Sequence, residues 1–503
     1  MTCSIADPGS ARARPLITAI FGLLLICGET PNSRATPEKH HGSLVEITVT
    51  YQEYDQIFPW QRRPPGLRRG YGVVIDTGQV LTTETLLRNA ELVELRQARR
   101  GEKVRATIAL SDPQCNLGLL NVPPQGLADL QVASPAESIA TSNKLMVLQF
   151  DQDSEVQAGS AQILEVGVRP LPRSPFSLLA FTVLTDLNVN GEGAPVFVDG
   201  KLAGIMITYN SNTRTGNMLP SKIIRRFIAD TKRPLYRGMA SAGFVWSPLV
   251  DPVKRAYLNV QDKSGGILIV KCLPGTGAAE AFQPNDVVLQ WDGFNLDNLG
   301  YYEDPEFGRL AFPHLIGGYR EPGDVVPVRV VRQGLETNVN VRLQRYEDDL
   351  ALVPENVIGE APEYIAEGGF VIRELDARYL FAHGNDWYQR VDSRLVHAYM
   401  TRKFSPSRPG ERIVILTAVL PDRINTGYEH FRQEIVTHVN GRPILNLRDV
   451  FKILDEDGSL YSIRLKDCGI DLVLDKRELR AANARLTSAY RLPALHYRNL
   501  SRR

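Results

Sequence analysis

Between residues 44 and 230, short runs of alternating apolar and polar positions are each closed by a turn signal. Val45-Glu-Ile-Thr-Val-Thr-Tyr51 alternates with period two, the pattern of a strand with one face on a core. Tyr71-Gly-Val-Val-Ile75 and Gln79-Val-Leu-Thr82 flank Asp76-Thr-Gly78 and predict a hairpin. A stronger hairpin is predicted where Pro195 to Val198 and Lys201 to Ile207 flank Asp199-Gly200, a dipeptide suited to a type I′ turn. Many short strands at this spacing predict a barrel or sandwich. The period then changes. Ile223, Ile224, Phe227 and Ile228 put apolar positions at helical spacing and predict a closing helix.

Two further segments follow, residues 239–345 and 362–474, in which a similar order of elements recurs with different residues. The joint between them is the polar stretch from Arg345-Tyr-Glu-Asp-Asp349 to Pro362. A final helix is predicted after Asp475, which can cap it. Glu478 stands at the capping-box position, and Leu479, Ala482 and Leu486 form one stripe. At the other end, Arg12 and Arg14 precede the apolar run LITAIFGLLLIC, residues 16–27. That run is short for a membrane span and fits the core of a signal peptide, with small residues for cleavage after Ala35. The expected location is secreted or periplasmic. An uncleaved N-terminal membrane anchor is the alternative.

Composition changes this picture little. With 503 residues the chain is long enough for about three domains. A net charge of +1 gives no electrostatic reason to expect nucleic acid or an anionic membrane surface as partner. Cleavage would leave Cys115, Cys272 and Cys468, far apart and odd in number, so no disulfide framework is read and each is expected to be a small buried residue. The histidines are scattered without ligand spacing, and no phosphate loop or dinucleotide fingerprint occurs, so neither metal nor cofactor is expected.

The stretch NVNGEGAPVF, residues 188–197, resembles the nucleophile turn of a trypsin-like protease, usually Gly-Asn-Ser-Gly-Gly-Pro. With the front hairpin, preceded by Phe58-Pro-Trp-Gln-Arg62, and Asn217-Met-Leu-Pro-Ser221 behind the turn, it makes the chain similar to the Deg/HtrA family. The likeness extends into the last segment through Gly369-Phe-Val371, Gly384-Asn-Asp-Trp-Tyr388 and Asn425-Thr-Gly-Tyr-Glu429, which resemble the enlarged second PDZ domain of the plant Deg branch. The resemblance implies a mainly β protein: a trypsin-like double barrel at 36–235, a first PDZ domain at 236–347, a linker at 348–361, a second PDZ-like domain at 362–474, and a C-terminal helix and tail at 475–503. It also implies a homo-oligomer, a trimer or a multiple, with aromatic residues near Tyr54, Phe58 and Trp60 as candidate contacts. A mixed oligomer with an active Deg paralogue stays open.

Carried over position by position, the resemblance puts Thr85 where the family has its histidine, Asn116 where it has its aspartate, and Glu192 where it has its serine. All three depart from the catalytic pattern. A serine hydroxyl attacks only when a positioned base takes its proton, and the base is normally imidazole. No histidine occurs between His41 and His314, so realigning the segment cannot restore that base. Glu192 paired with Glu84 or Asp186 would run acid–base hydrolysis only if two carboxylates shared a proton in a desolvated cleft, and nothing in their spacing supports it. A further expectation is that the Glu192 carboxylate folds back onto the N–H groups of its own turn. The chain therefore reads as a pseudoprotease, against an active endopeptidase with a relocated or partner-completed site, or a structural scaffold.

Peptide binding need not go with the triad. The segment Ser211-Asn-Thr-Arg-Thr-Gly216 is expected to line the barrel's substrate groove. In PDZ domains a glycine-containing loop captures a C-terminal carboxylate while the peptide adds to a strand edge. That loop would be Ser241, Ala242, Gly243 and Phe244 in the first domain, and Gly368, Gly369, Phe370 and Val371 in the second. The expected partners are unfolded or C-terminal peptide segments.

Overall fold

The computed structural model describes residues 41–97, 102–123, 130–171, 174, 176–355, 361–454 and 456–499; the leader expected over residues 1–35 lies outside them. In the strand Leu44–Tyr51, Leu44, Val45, Ile47 and Val49 are buried. Each such side chain contributes roughly 1.5–3 kcal/mol on leaving water, enough to hold the register against a one-residue slip. This strand opens a closed six-stranded barrel with Gly66–Asp76, Gln79–Thr82, Ala90–Arg96, Lys103–Asp112 and Leu117–Asn121. A second closed barrel is built from Lys144–Phe150, Val156–Pro170, Ser177–Thr185, Pro195–Val198, Lys201–Asn210 and Thr215–Pro220. The turn between Pro195–Val198 and Lys201–Asn210 has Asp199 at φ 45° and Gly200 at φ 83°, the two left-handed positions of a type I′ turn. The helix Ser221–Thr231 then buries Ile223, Ile224 and Phe227, as its spacing predicts.

Two antiparallel sheets follow. The first runs in the order Phe244–Pro248, Ile267–Cys272, Val287–Trp291, Val325–Arg332, Leu335–Arg342. Its core is continuous with that of the second barrel, through residues such as Leu178, Met239 and Leu315. The second sheet runs Asp471–Asp475, Leu460–Leu465, Glu434–Val439, Val414–Val419, Phe370–Glu374, Tyr364–Glu367, His496–Tyr497. The helix Lys476–Tyr490 lies before its last strand. Asp475 caps it by accepting from Arg477 N, and Leu479, Ala482 and Leu486 are buried. The expected double barrel with PDZ architecture and a C-terminal helix is therefore present. Among the described residues, no helix is long and apolar enough to cross a membrane.

One detail corrects the sequence reading. Only Cys115 is buried; Cys272 and Cys468 are half-buried. Trp60, half-buried, has aromatic partners within the chain. It packs on Tyr364 of the second sheet, ring centroids 5.7 Å apart, in a cluster with Leu486 and Leu492.

Candidate functional site

The structure brings two of the three triad-like positions into direct contact. Thr85 sits in the single turn of helix Glu84–Leu87, and Asn116 precedes the strand Leu117–Asn121 at φ 54°. Asn116 Oδ1 accepts from Thr85 N at 3.0 Å and from Thr85 Oγ1 at 2.8 Å. Asn116 is 1% exposed and Thr85 half-buried, so the pair is a polar contact satisfied within the first barrel.

Glu192 lies on the facing turn from the second barrel. Its backbone carbonyl accepts from Tyr71 N at 2.7 Å, which ties the turn to the first barrel. Its carboxylate accepts from the Thr83 hydroxyl at 3.4 Å. The turn needs Gly193 at φ 78°, and a Cβ there would stand 2.5 Å from Tyr71 O. The Tyr71 hydroxyl donates to Asn190 Oδ1 and, at 3.2 Å, to Phe150 O. Burial pushes this hydroxyl up to about 12, so it stays protonated and keeps donating.

Two N–H groups of this turn bond elsewhere than to the Glu192 carboxylate. Asn190 N donates to Gln149 Oε1 at 3.0 Å, and Gly193 N to Met206 O at 3.2 Å. At these two amides the expected fold-back of Glu192 is not found. Glu84 is not available as a proton-sharing partner either. Its buried carboxylate takes a two-pronged bond from Arg88, at 3.0 and 2.6 Å, while Asp186 is exposed. The segment Ser211–Gly216 offers no open edge. Residues 211–214 form a turn, and the strand Thr215–Pro220 is paired on both sides, to Lys201–Asn210 and to Ser177–Thr185.

The two glycine loops differ. Ser241, Ala242, Gly243 and Phe244 lie beside an open cavity of about 200 Å³, closed on the far side by helix Pro313–Gly317. Gly243, at φ 76°, donates its N–H to Ser241 Oγ at 3.3 Å. The strand Phe244–Pro248 is the edge of its sheet, paired only to Ile267–Cys272. Phe244 also packs on Phe282, Trp291 and Phe312, so it serves the core and the cavity together. Sequence reading missed Phe176 and Ser177, which the second barrel contributes to the same lining. No local signal marks them, because they reach the cavity only through the packing of one domain on the next.

In the second loop, Gly368, Gly369, Phe370 and Val371 are all buried. Gly368 N donates to Asn483 Oδ1 at 2.9 Å, Gly368 O accepts from Asn425 Nδ2 at 2.8 Å, and Gly369 O accepts from Leu420 N at 2.7 Å. The strand Phe370–Glu374 has a partner on each side, Tyr364–Glu367 and Val414–Val419. The chain's own tail covers Tyr364–Glu367 in turn, by pairing Tyr364 with Tyr497 and Ile365 with His496.

A PDZ domain family model matches residues 353–497. The putative protease Do-like 3, mitochondrial, of Arabidopsis thaliana is 24% identical, over 85% of this chain and 76% of that protein. The protease Do-like 2, chloroplastic, of the same plant is 23% identical, over 92% and 77%. A probable periplasmic serine endoprotease, DegP-like, of a Marinomonas species is 25% identical, over 63% and 69%. Among solved structures, a variant of the HtrA-type protease AlgW with a decapeptide superposes with a TM-score of 0.50 at 16% identity, over 61% of this chain and 96% of that one. Two closed barrels, a PDZ domain and these relatives agree on one assignment: the chain fits the Deg/HtrA family of trypsin-like proteases with PDZ domains.

Proposed function

We propose that this chain is a catalytically inactive HtrA-like protein that binds peptides through its first PDZ groove, as a chaperone, adaptor or regulatory subunit. The observation that carries the proposal is the absence of any histidine between His41 and His314, where the barrels lie. Thr85 and Asn116 cannot replace an imidazole, since neither takes a proton near neutral pH. The Asn190 amide supports the same reading. It already donates to Gln149, so an oxyanion arriving there would have to displace a 2%-exposed carboxamide.

Peptide binding is assigned to the first groove because its loop is open to a cavity and its strand has a free edge for β-addition. The AlgW variant solved with a decapeptide supports that reading by fold. The second PDZ-like domain acts as scaffold, since its loop and strand are engaged by the chain itself. The apolar run at 16–27 supports export, which fractionation of the expressed protein tests.

Purified protein is incubated with an unfolded, casein-like substrate and, in parallel, with a serine-reactive fluorophosphonate probe. No cleavage and no labelling are expected. Cleavage that survives stringent purification, with labelling at one serine, would refute inactivity. Peptides with a free C-terminal carboxylate are then titrated against the same protein, and amidated versions should bind more weakly. Equal binding of both would refute carboxylate capture by the loop.

A further inference from the structure

We propose that the groove beside helix Ser393–Arg402 binds a single-chain anionic amphiphile, an alkyl chain carrying a carboxylate or phosphate head. The groove encloses about 650 Å³, within the size range of small-molecule sites (roughly 300–1,000 Å³). None of its lining residues belongs to either glycine loop. Ile413, Val414, Ile435, Val436, Ile444 and Ala398 give it an apolar lining, with Val414 and Val436 paired across two neighbouring strands.

Basic side chains surround that lining. Arg394, His397 and Arg402 stand at three- to five-residue spacing on the helix, and Lys466 follows the strand Leu460–Leu465. Arg394 is held by Asp392 and Glu434, at 2.9 Å each. Arg412 is held by Ala351 O at 2.7 Å. The side chains of Arg402 and Lys466 have no partner among the described residues. The one carboxylate in the lining, Glu411, accepts from the backbone of Ser407. An anionic head therefore meets one uncommitted basic side chain, Arg402 at the C-terminal end of the helix or Lys466 beside its N-terminal end, while its chain meets branched aliphatic side chains.

The backbone around the groove argues against an extended peptide as occupant. Ile413 O accepts from Leu375 N, Thr437 O from Ile444 N, and Ile435 O from Lys466 N. Val414 and Ile415 pair with Val436 and Ile435. With these groups engaged, recognition falls to side chains, which suits a head-and-tail molecule rather than a strand.

The test is calorimetric titration of the full chain with monomeric dodecanoate, dodecyl phosphate, octanoate and the neutral dodecyl maltoside. Both anionic twelve-carbon ligands should bind, octanoate more weakly and the maltoside not measurably. The double variant R402E/K466E, at two exposed positions, should melt as the parent does and lose at least about tenfold in affinity. Co-sedimentation with phosphatidylglycerol vesicles separates the sources. Free dodecanoate binding marks a soluble single-chain ligand, and charge-sensitive binding to vesicles alone, which present two-chain lipids, would overturn the single-chain occupant. No binding of either, equal binding of the neutral amphiphile, or unchanged affinity in R402E/K466E would overturn the proposal.

Discussion

Arg373→Ala would test whether the first barrel and the second PDZ-like sheet are joined by a buried charge. The Arg373 side chain is 2% exposed. Nη1 donates to Gln56 O at 2.9 Å and to Gln56 Oε1 at 3.0 Å, on the barrel side; Nη2 donates to Asp376 Oδ2 at 2.8 Å, on the sheet side. Asp376 also receives Arg378, at 3.1 and 2.8 Å, and Tyr379 N at 2.9 Å. Burial alone would push the Asp376 carboxyl up, but the two arginines and the amide outweigh it and hold the group below the usual carboxylate range. Removing one member of a buried ion pair costs about 3–5 kcal/mol. Arg378 stays to compensate Asp376, so the lower end, about 3 kcal/mol, is expected. For a domain of this size that corresponds to a drop of roughly 6–12 °C in Tm, read by calorimetry on the full chain. Arg373→Lys keeps the charge without the fork and should fall between. A second readout is the pH profile. A depressed carboxyl contributes stability above its unfolded pKa and loses it as pH falls through the folded pKa. The gap between parent and R373A should therefore be full at neutral pH and shrink below about pH 4. A variant melting within about 2 °C of the parent at neutral pH would refute the coupling.

Other perturbations separate the two glycine loops and the domain contacts. Gly243→Val places a Cβ 2.5 Å from Thr276 Cβ at a left-handed φ, and should weaken C-terminal peptide binding about tenfold or more; an unchanged titration would count against that loop as the receptor. Asn483→Ala leaves the buried Gly368 N–H without its acceptor, at about 1–3 kcal/mol, and hydrogen exchange over residues 364–371 should rise; unaltered protection there would contradict the role given to Asn483. His314, 1% exposed, is held down to about 4 by burial. Its stabilising neutral form is fully present above the unfolded value near 6.5 and is lost as pH falls toward 4. His314→Leu should flatten that acid limb of the stability curve, and an identical limb in parent and variant would sink the assignment.

The barrels were legible because each strand has one face on a core and one on water, so burial imposes period two on the residues themselves. The Asp199-Gly200 turn was legible for a local reason too, since its backbone demands two left-handed residues. Thr85, Asn116 and Glu192 could be placed by motif, and the first two meet although 31 residues separate them. The environment of Trp60 was not legible. An aromatic near a barrel rim carries no local mark of what it packs on, and its contact with Tyr364 arises only from the packing of one domain on another. The two glycine loops posed the same difficulty, because Gly-Phe before a strand is one pattern with two outcomes.

What distinguishes those outcomes is where each turn's N–H groups go, since each backbone N–H is a single donor. At the barrel turn Asn190 N is taken by the Gln149 carboxamide, and at the second PDZ-like loop Gly368 N is taken by Asn483. In both places a buried side-chain carbonyl of the same chain sits where a ligand oxygen would sit. Displacing it exchanges one hydrogen bond for another and strands a polar group in a low-dielectric site, at about 1–3 kcal/mol. At the first glycine loop the corresponding contact is Gly243 N to Ser241 Oγ, two residues away and 3.3 Å long, beside an open cavity. A serine hydroxyl there can rotate and keep a partner when a carboxylate arrives. The same accounting of N–H groups that argues against chemistry at Glu192 therefore argues for binding at Gly243.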